Sequence, residues 1–387
     1  MTDARQLSGT DLANALRDSR QRSLSLVMDL SPAQWMPTRQ LGINPVAWEL
    51  AHIAWFAEFW ILRGPHDCDA QGLVRATLPP LFAGPDAVLD SAQLAHAQRW
   101  TAPLPTREEL PDMMERQLEA CIAAIDDSLY FHRLALFHED MHAEAFCWMR
   151  SALQYSAPDG LDMPQVPPSR VLSVPGGAIG VGWPATQPGF AFDNECPALQ
   201  MQLVDFEIDS APVSACAFAR FVEAGGYDHT AYWPQEAGVW RAQSPLAHPQ
   251  HWRRAPGSGW QVRWFDQWRA MDEAAPAMHV NAFEAEAYCL WAGRRLPSAS
   301  EWEHAARTQG DFHWGHSVWE WTSSPFAPYP SFAPGPYHAY SQPWFGNHRE
   351  LRGGAFASHT RMHNARYRNF FQPHRTDIFA GFRTVGL

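Results

Sequence analysis

"PPSRVLSVPGG", residues 167–177, divides the chain into two stretches written in different patterns. Upstream of it, apolar residues recur at spacings of three and four, the period of a helix with a buried face. Leu12, Leu16, Leu26 and Leu30 lie in a helix-forming stretch that stops at Ser31-Pro32. Ala47, Trp48, Ala51, Trp55 and Phe59 place a second helix over 45–60, ended by Gly64-Pro65. A third helix is expected over about 107–130 and a fourth over about 132–155, with one long connection at about 64–106. Four such helices make a bundle. Downstream, short strand-like runs alternate with Gly and Pro turns. "VLSVPGGAIGVGW" (171–183) reads as a hairpin and "LQMQLVDFEIDSAPV" (199–213) as a strand entering a turn. Two helices stand out there, over 214–226 and 281–293, the second closed by Gly293. The fold class expected is therefore multi-domain, α then α+β: a helical bundle over 1–165 and an α+β domain over 166–387.

The bulk composition fits two globular domains. At 387 residues the chain exceeds one ordinary core, and it is 46% hydrophobic and 18% charged. A net charge of −12 argues against nucleic acid and anionic membrane as partners, since both want a basic face. Nineteen tryptophans and 32 prolines point to loops pinned by large aromatic anchors, with Trp48, Trp55, Trp291 and Trp302 read as packing residues. The six cysteines form no CxxC pair and no disulfide framework. "MTDARQLSGT" has no apolar signal core, and no run of about 18 apolar residues occurs, so a cytoplasmic location is expected. Neither a GxGxxG nor a GxxxxGK[ST] loop is present, and no repeat of fixed period.

The segment that carries chemistry is "HEDMHAEA", residues 138–145. Positions four apart on a helix differ by only about 40°, so His138 and His142 share a face and can chelate one ion. Glu144 lies about 200° round from His142 and about 240° from His138, and a regular helix keeps it from that ion. A third ligand must come from another helix. His52 in "WELAHIAWF" (48–56) is the best candidate, with His132 and Glu58 as alternatives. Three neutral imidazoles with the remaining positions open suit either catalytic zinc or ferrous iron.

The second half adds "VPGGAIGVG" (174–182), "FAFDNECPALQMQLVDFEID" (190–209), "PVSACAFARFVEAGGY" (212–227) and "PAMHVNAFEAEAYCLWAGRRLPSASEWEHAA" (276–306). "VWEWTSSPFAPYP" (318–330), "LRGGAFA" (351–357), "RYRNF" (366–370) and "DIFAGFR" (377–383) follow in order. Together these resemble the formylglycine-generating-enzyme-like domain, a C-type-lectin-like fold, and the first half resembles the DinB-like helical bundle. The pairing in this order resembles the ergothioneine-type sulfoxide synthases, the EgtB family, and the related selenoneine synthases. That resemblance implies a ferrous, non-haem, oxygen-dependent enzyme joining sulfur or selenium to the imidazole ring of hercynine (trimethyl-histidine). It implies His52, His138 and His142 as the Fe(II) ligands, with Glu144 orienting a ligand or the helix. It also implies a tyrosine supplying a proton or hydrogen atom, from the pair Tyr337 and Tyr340 in "GPYHAYS" (335–341), with Tyr337 preferred. Asn369, Phe370, Phe371 and Arg375, with Arg99 in "AHAQRW", are the implied substrate contacts.

Two departures from the families bear on the substrate. Formylglycine generators carry a cysteine pair near the C-terminus, and no cysteine of this chain lies beyond 289. Mycobacterial-type members of the sulfoxide synthase family carry an aspartate after RNW, where it engages the amino group of γ-glutamylcysteine. Here "RNFFQPHRTDIF" (368–379) puts Phe371 in that place, keeps Arg375 and has Thr376 at a second basic position. A phenyl ring offers an ammonium only a weak cation–π contact. An uncharged donor such as a selenosugar is therefore preferred, which makes selenoneine synthase the leading reading and a cysteine-containing thiol donor the runner-up. Two other classes stand beside these: a zinc-dependent DinB-type thiol transferase and a non-catalytic ligand-binding module on the lectin-like half.

Overall fold

The structure, a computed structural model, describes residues 3–40, 42–70, 72–257 and 259–387. The chain forms two compact units, one running to Met149 and taking in Pro188–Phe190, the other comprising Arg150–Gln187 and Ala191–Leu387. In the first, four long helices appear: α1 (Gly9–Ser25), α2 (Val46–Leu62), α3 (Leu110–Ala123) and α4 (Tyr130–Ala152), whose last turn belongs to the second unit. Leu12 and Leu16 of α1 pack on Leu118 of α3 and Leu136 of α4, while Ala57, Ile61 and Leu62 of α2 meet Cys121 and Ala135. Helix α1 ends at Ser25, not at Leu30, and residues 26–30 continue as tighter turns, with Val27 N–H bonded to Leu24 and Leu30 N–H to Val27. Helix α2 is apolar nearly all round and buried nearly all round, as that pattern demands. A buried ion pair joins α1 to α4: the Arg20 guanidinium holds both Glu139 oxygens, at 2.8 and 3.3 Å, and also donates to the Met114 carbonyl.

The long connection is more ordered than its sequence implies. It holds a ribbon of β1 (His66–Cys68) and β2 (Val74–Ala76), a single turn at Asp86–Leu89 and a 3-10 turn at His96–Trp100. Arg63 clamps Asp86 with two bonds of 2.6 and 2.9 Å, and Trp55 donates to the same carboxylate, so the connection is tied down onto α2. That tie delivers backbone carbonyls to the face of α2 that carries His52.

In the second unit the expected hairpin at 171–183 does not form. Strands β3 (Val171–Val174) and β4 (Gly177–Val181) part at Pro175-Gly176 and take different partners: β3 pairs β6 (Phe206–Asp209) and β4 pairs β5 (Leu199–Leu203). Gly176 lies so close to the next ribbon that an added Cβ would sit 2.4 Å from the Leu203 carbonyl oxygen. The run 199–213 is thus two strands broken at Val204-Asp205. Four helices follow: α5 (Ala215–Glu223), α6 (Gln235–Gln243), α7 (Ala282–Trp291) and α8 (Ala299–Thr308). Asn281 with Glu284 and Ser298 with Glu301 close capping boxes at the starts of α7 and α8. Strands β7 (Trp252–Arg254), β8 (Trp260–Trp264) and β9 (Gln267–Ala270) form a meander. The central sheet has the order β12 (Asn369–Phe371), β11 (Arg349–Gly353), β10 (Trp319–Pro325), β13 (Ala380–Gly381). Beneath it, Arg383 binds Glu320, and Arg352 and Arg368 share Glu350, with all of these side chains buried. Trp302 is fully buried and Trp291 only partly so. No helix among the described residues is long and apolar enough to cross a membrane.

The linker 150–166 counts with the second unit rather than the first, because Arg150 donates to Ser156 and Val166 N–H to the Ala274 carbonyl. Nearby, His251 and His279 stack at 4.0 Å, both buried, with Arg263 3.2 Å from His251. Burial, reinforced by Arg263, pushes His279 down to about 4. An unfolded histidine near 6.5 therefore takes up a proton that the folded one refuses, so this stability is full above about pH 6.5 and drains as pH falls towards 4. Glu284, raised by burial to about 7, slopes the opposite way. Substituting His279→Asn, which tolerates the residue's φ of +60°, is expected to flatten the acid limb by up to about 1.4 kcal/mol per pH unit. Chemical denaturation at a series of pH values measures it.

Candidate metal centre

Helix α4 sets His138 and His142 on one face, one turn apart, and α2 sets His52 opposite them. Their ring centroids are 4.5 Å apart for His138–His142 and 5.2 Å from His52 to each. One ligand nitrogen from each lies within 4.8 Å of the others, and His52 and His138 are buried while His142 is partly open. The Nε2 atoms of His138 and His142 stand 3.2 Å apart. Two nitrogens each about 2.1 Å from one ion are separated by about 3.0 to 3.4 Å, so the pair already has a shared-ion spacing. Burial holds His52 and His138 well below the usual histidine range, and the neighbouring imidazoles add to it. Both are kept neutral, the form that binds metal.

Each of two rings is oriented through its other nitrogen. His52 Nδ1 lies 2.7 Å from the Leu89 carbonyl, which can only accept, so Nδ1 carries the proton and Nε2 keeps its lone pair. His142 Nδ1 lies 2.7 Å from Glu49 Oε1, and the same reasoning frees its Nε2. Carboxylate and carbonyl partners of this kind fix tautomer and ring angle in metal sites. His138 is stacked flat on Phe56, centroids 3.6 Å apart. Three neutral donors, two with assigned tautomers, fit a divalent transition metal.

The residues offered as alternative ligands lie elsewhere. Glu58 accepts the backbone N–H groups of Leu81, Phe82 and Ala83, and His132 Nε2 sits 3.0 Å from the Cys121 carbonyl. Glu144 is absent from the ligand set, and Glu49 bonds a ligand ring. Glu49 lies three residues before His52 on the same helix face, a spacing that by itself does not say which ring it serves. Two further residues bear on the ligands. Trp48 stacks on His52 at 4.8 Å with 10° between planes and donates its Nε1–H to the Val88 carbonyl. Arg99 lies over the Trp48 ring, its Cζ 4.0 Å from the ring centroid, and donates to Asn44. Burial lowers Arg99 while Glu49 pulls the other way, and its buried Nε makes no hydrogen bond among the described residues.

The remaining implied site residues cluster in the second unit. Asn369, Phe370 and Phe371 form the edge strand β12, paired to Leu351, Glu350 and Arg349. Phe370 stacks on Phe326 at 4.0 Å and meets the edge of Tyr340 at 5.8 Å. The Tyr340 hydroxyl is 3.0 Å from that of Tyr367, its ring stacks on Phe192, and Tyr337 is 6.1 Å away. Desolvation pushes the Tyr340 phenol well above the usual tyrosine range, and Tyr367 adds to it. Arg375 grips both oxygens of Asp377, at 2.7 and 2.5 Å, and lies 5.0 Å over the Phe371 ring. Ser341 donates to Asp193 beside this group, a contact that no motif had marked.

Residues 15–145 match the DinB superfamily, and residues 161–318 and 314–386 match the sulfatase-modifying factor enzyme 1-like domain. The hercynine oxygenase of Mycolicibacterium thermoresistibile is 31% identical over 436 residues, covering 96% of this chain and 94% of that protein. That of Mycobacterium tuberculosis is 31% identical over 432 residues, covering 97% and 98%. The formylglycine-generating enzyme of Thermomonospora curvata is 31% identical over 174 residues, covering 41% of this chain and 57% of that one.

Proposed function

The chain belongs to the family of the hercynine oxygenases, and on that premise we propose that it is a non-haem Fe(II), oxygen-dependent enzyme acting on hercynine. The imidazole C–H of hercynine is replaced by a carbon–chalcogen bond, and the electrons released go to dioxygen. His52, His138 and His142 hold the iron, which when bound acidifies the chalcogen donor and makes its oxidation accessible. The observation that carries this reading is the set of three converging imidazoles, two with tautomers fixed by Leu89 and Glu49.

The other residues take roles their chemistry allows. Aromatic faces at Phe370 suit a trimethylammonium cation, and the Asn369 amide suits a polar end of the substrate. Tyr337 delivers the proton or hydrogen atom, with Tyr340 as the alternative. Tyr340 is a phenol held protonated beside Tyr367. Phe371 leaves no carboxylate for a donor's ammonium, and Arg375 is already paired with Asp377. Both features favour an uncharged selenosugar, making the product a selenoneine precursor. The runner-up, a cysteine-containing thiol as donor, is favoured by the extent of the likeness to the hercynine oxygenases. A zinc-dependent thiol transferase draws support from the DinB match alone.

The test is anaerobic reconstitution with ferrous iron, then hercynine, oxygen and either a selenosugar or γ-glutamylcysteine, with products weighed by mass spectrometry. A selenium-bearing product formed with oxygen uptake is expected. Faster formation of a sulfur-bearing product moves the assignment to the thiol donor. Turnover with zinc and no oxygen overturns the oxidative reading.

A further inference from the structure

We propose that Arg99 is the positioning residue of the metal centre, one guanidinium that fixes two of the three imidazoles by separate routes. The inference rests on the reading of His52, His138 and His142 as a metal site. The first route is stacking. The Arg99 guanidinium lies 4.0 Å over Trp48, and Trp48 in turn stacks on His52 at 4.8 Å between centroids, nearly parallel at 10°. With Trp48 Nε1 tied to the Val88 carbonyl and His52 Nδ1 to the Leu89 carbonyl, the His52 ring is held by its plane and by its nitrogen.

The second route is a one-way relay of hydrogen bonds. Arg99 Nη1 donates to Asn44 Oδ1 at 2.7 Å. A cationic donor on that oxygen turns the amide so that its NH2 end faces Glu49 Oε2, 3.2 Å away. Glu49 Oε1 then meets His142 Nδ1 at 2.7 Å. Each bond in the series runs from donor to acceptor towards Glu49, and the imidazole proton faces the same carboxylate from the far end. The relay therefore leaves His142 Nε2 pointing away as a lone pair. Arg99 has no carboxylate within hydrogen-bond distance among the described residues, so its charge is directed at a ring face and an amide rather than spent in an ion pair. A residue placed only to brace the connection would need neither contact to end on a metal ligand. Both do.

The experiment is titration of the full-length protein with cobalt(II), reading affinity by competition with a chelator and geometry from the visible d–d absorption. Wild type is expected to bind one cobalt. Arg99→Met keeps bulk over Trp48 but removes the donor and the charge, and is expected to weaken cobalt about tenfold or more and to shift its bands, in the range outer-shell partners command. Arg99→Lys, which keeps charge without the planar fork, is expected to fall between. Asn44→Leu cuts the relay and leaves the stack, so it decides the matter should Arg99→Met fail to fold. Wild-type cobalt affinity and spectrum in both Arg99→Met and Asn44→Leu overturn the positioning role while leaving the metal site standing. Failure of wild type to bind cobalt overturns the metal reading itself, and the role of Arg99 with it.

Discussion

Replacing His138 with alanine is expected to cut oxygen consumption in the presence of hercynine and donor by at least about a thousandfold. Iron retained after desalting should fall towards zero in the same variant. The size of the effect follows from what the ion supplies. Lewis-acid and redox activation are worth several kcal/mol, and about 4 kcal/mol is a thousandfold in rate. Two remaining imidazoles, His52 and His142, stand 5.2 Å apart by centroid and do not make a facial site on their own. Glu144 does not step in, because helix geometry turns it away. His52→Ala and His142→Ala are expected to behave alike, and their effects not to add, since the three act as one unit. The controls are the two discarded ligands. Glu58→Gln loosens the loop that carries Leu81–Ala83, and His132→Gln disturbs the contact with the Cys121 carbonyl. Each should lower melting temperature and keep iron. Iron lost equally in the controls would sink the assignment of the triad.

What the sequence made legible follows the range of the interactions involved. Two histidines one helical turn apart can be placed on one face from spacing alone, and α4 places them so. His52 was reachable because a lone imidazole in a helix as apolar as α2 needs a partner. Glu49 shares that helix and that face, yet nothing local says which neighbour it serves. The contact between Asn44 and Arg99 was beyond reach. They lie 55 residues apart, in segments without period, and meet only because Arg63 and Trp55 bind Asp86 and fold the connection back. The hairpin at 171–183 failed for a related reason. Alternation and a Pro-Gly-Gly turn identify two strands, but pairing is decided by partners 18 to 38 residues on, and β5 and β6 outcompete the neighbour in sequence. In the second unit the residues of β12 and the tyrosine pair carry no local signal at all. Only the order of motifs across 170–387 pointed to them, and there buried ion pairs join Arg352 to Glu303, Arg368 to Glu350 and Arg383 to Glu320 across segments far apart in sequence.

Substituting Phe371→Asp is expected to shift the donor preference towards γ-glutamylcysteine by about ten- to a hundredfold in kcat/KM relative to a selenosugar. A charge-assisted bond between carboxylate and ammonium in a partly buried site is worth about 1.5 to 3 kcal/mol, which sets that range. The local structure permits the exchange. Phe371 ends an edge strand, is partly exposed, and its ring is covered by Arg375 rather than packed into a core. The new carboxylate competes with Asp377 for Arg375, which already has two bonds of 2.7 and 2.5 Å to it. If Arg375 turns to the new group, the donor's ammonium loses its partner and the gain shrinks. Combining Phe371→Asp with Arg375→Gln separates the two outcomes, since the double variant leaves the carboxylate to the ammonium alone. Phe371→Asn serves as the neutral control, matching the shape without the charge. Donor preference unchanged across all three would mean that residue 371 does not touch the donor, and the case for selenium drawn from it would have to be abandoned.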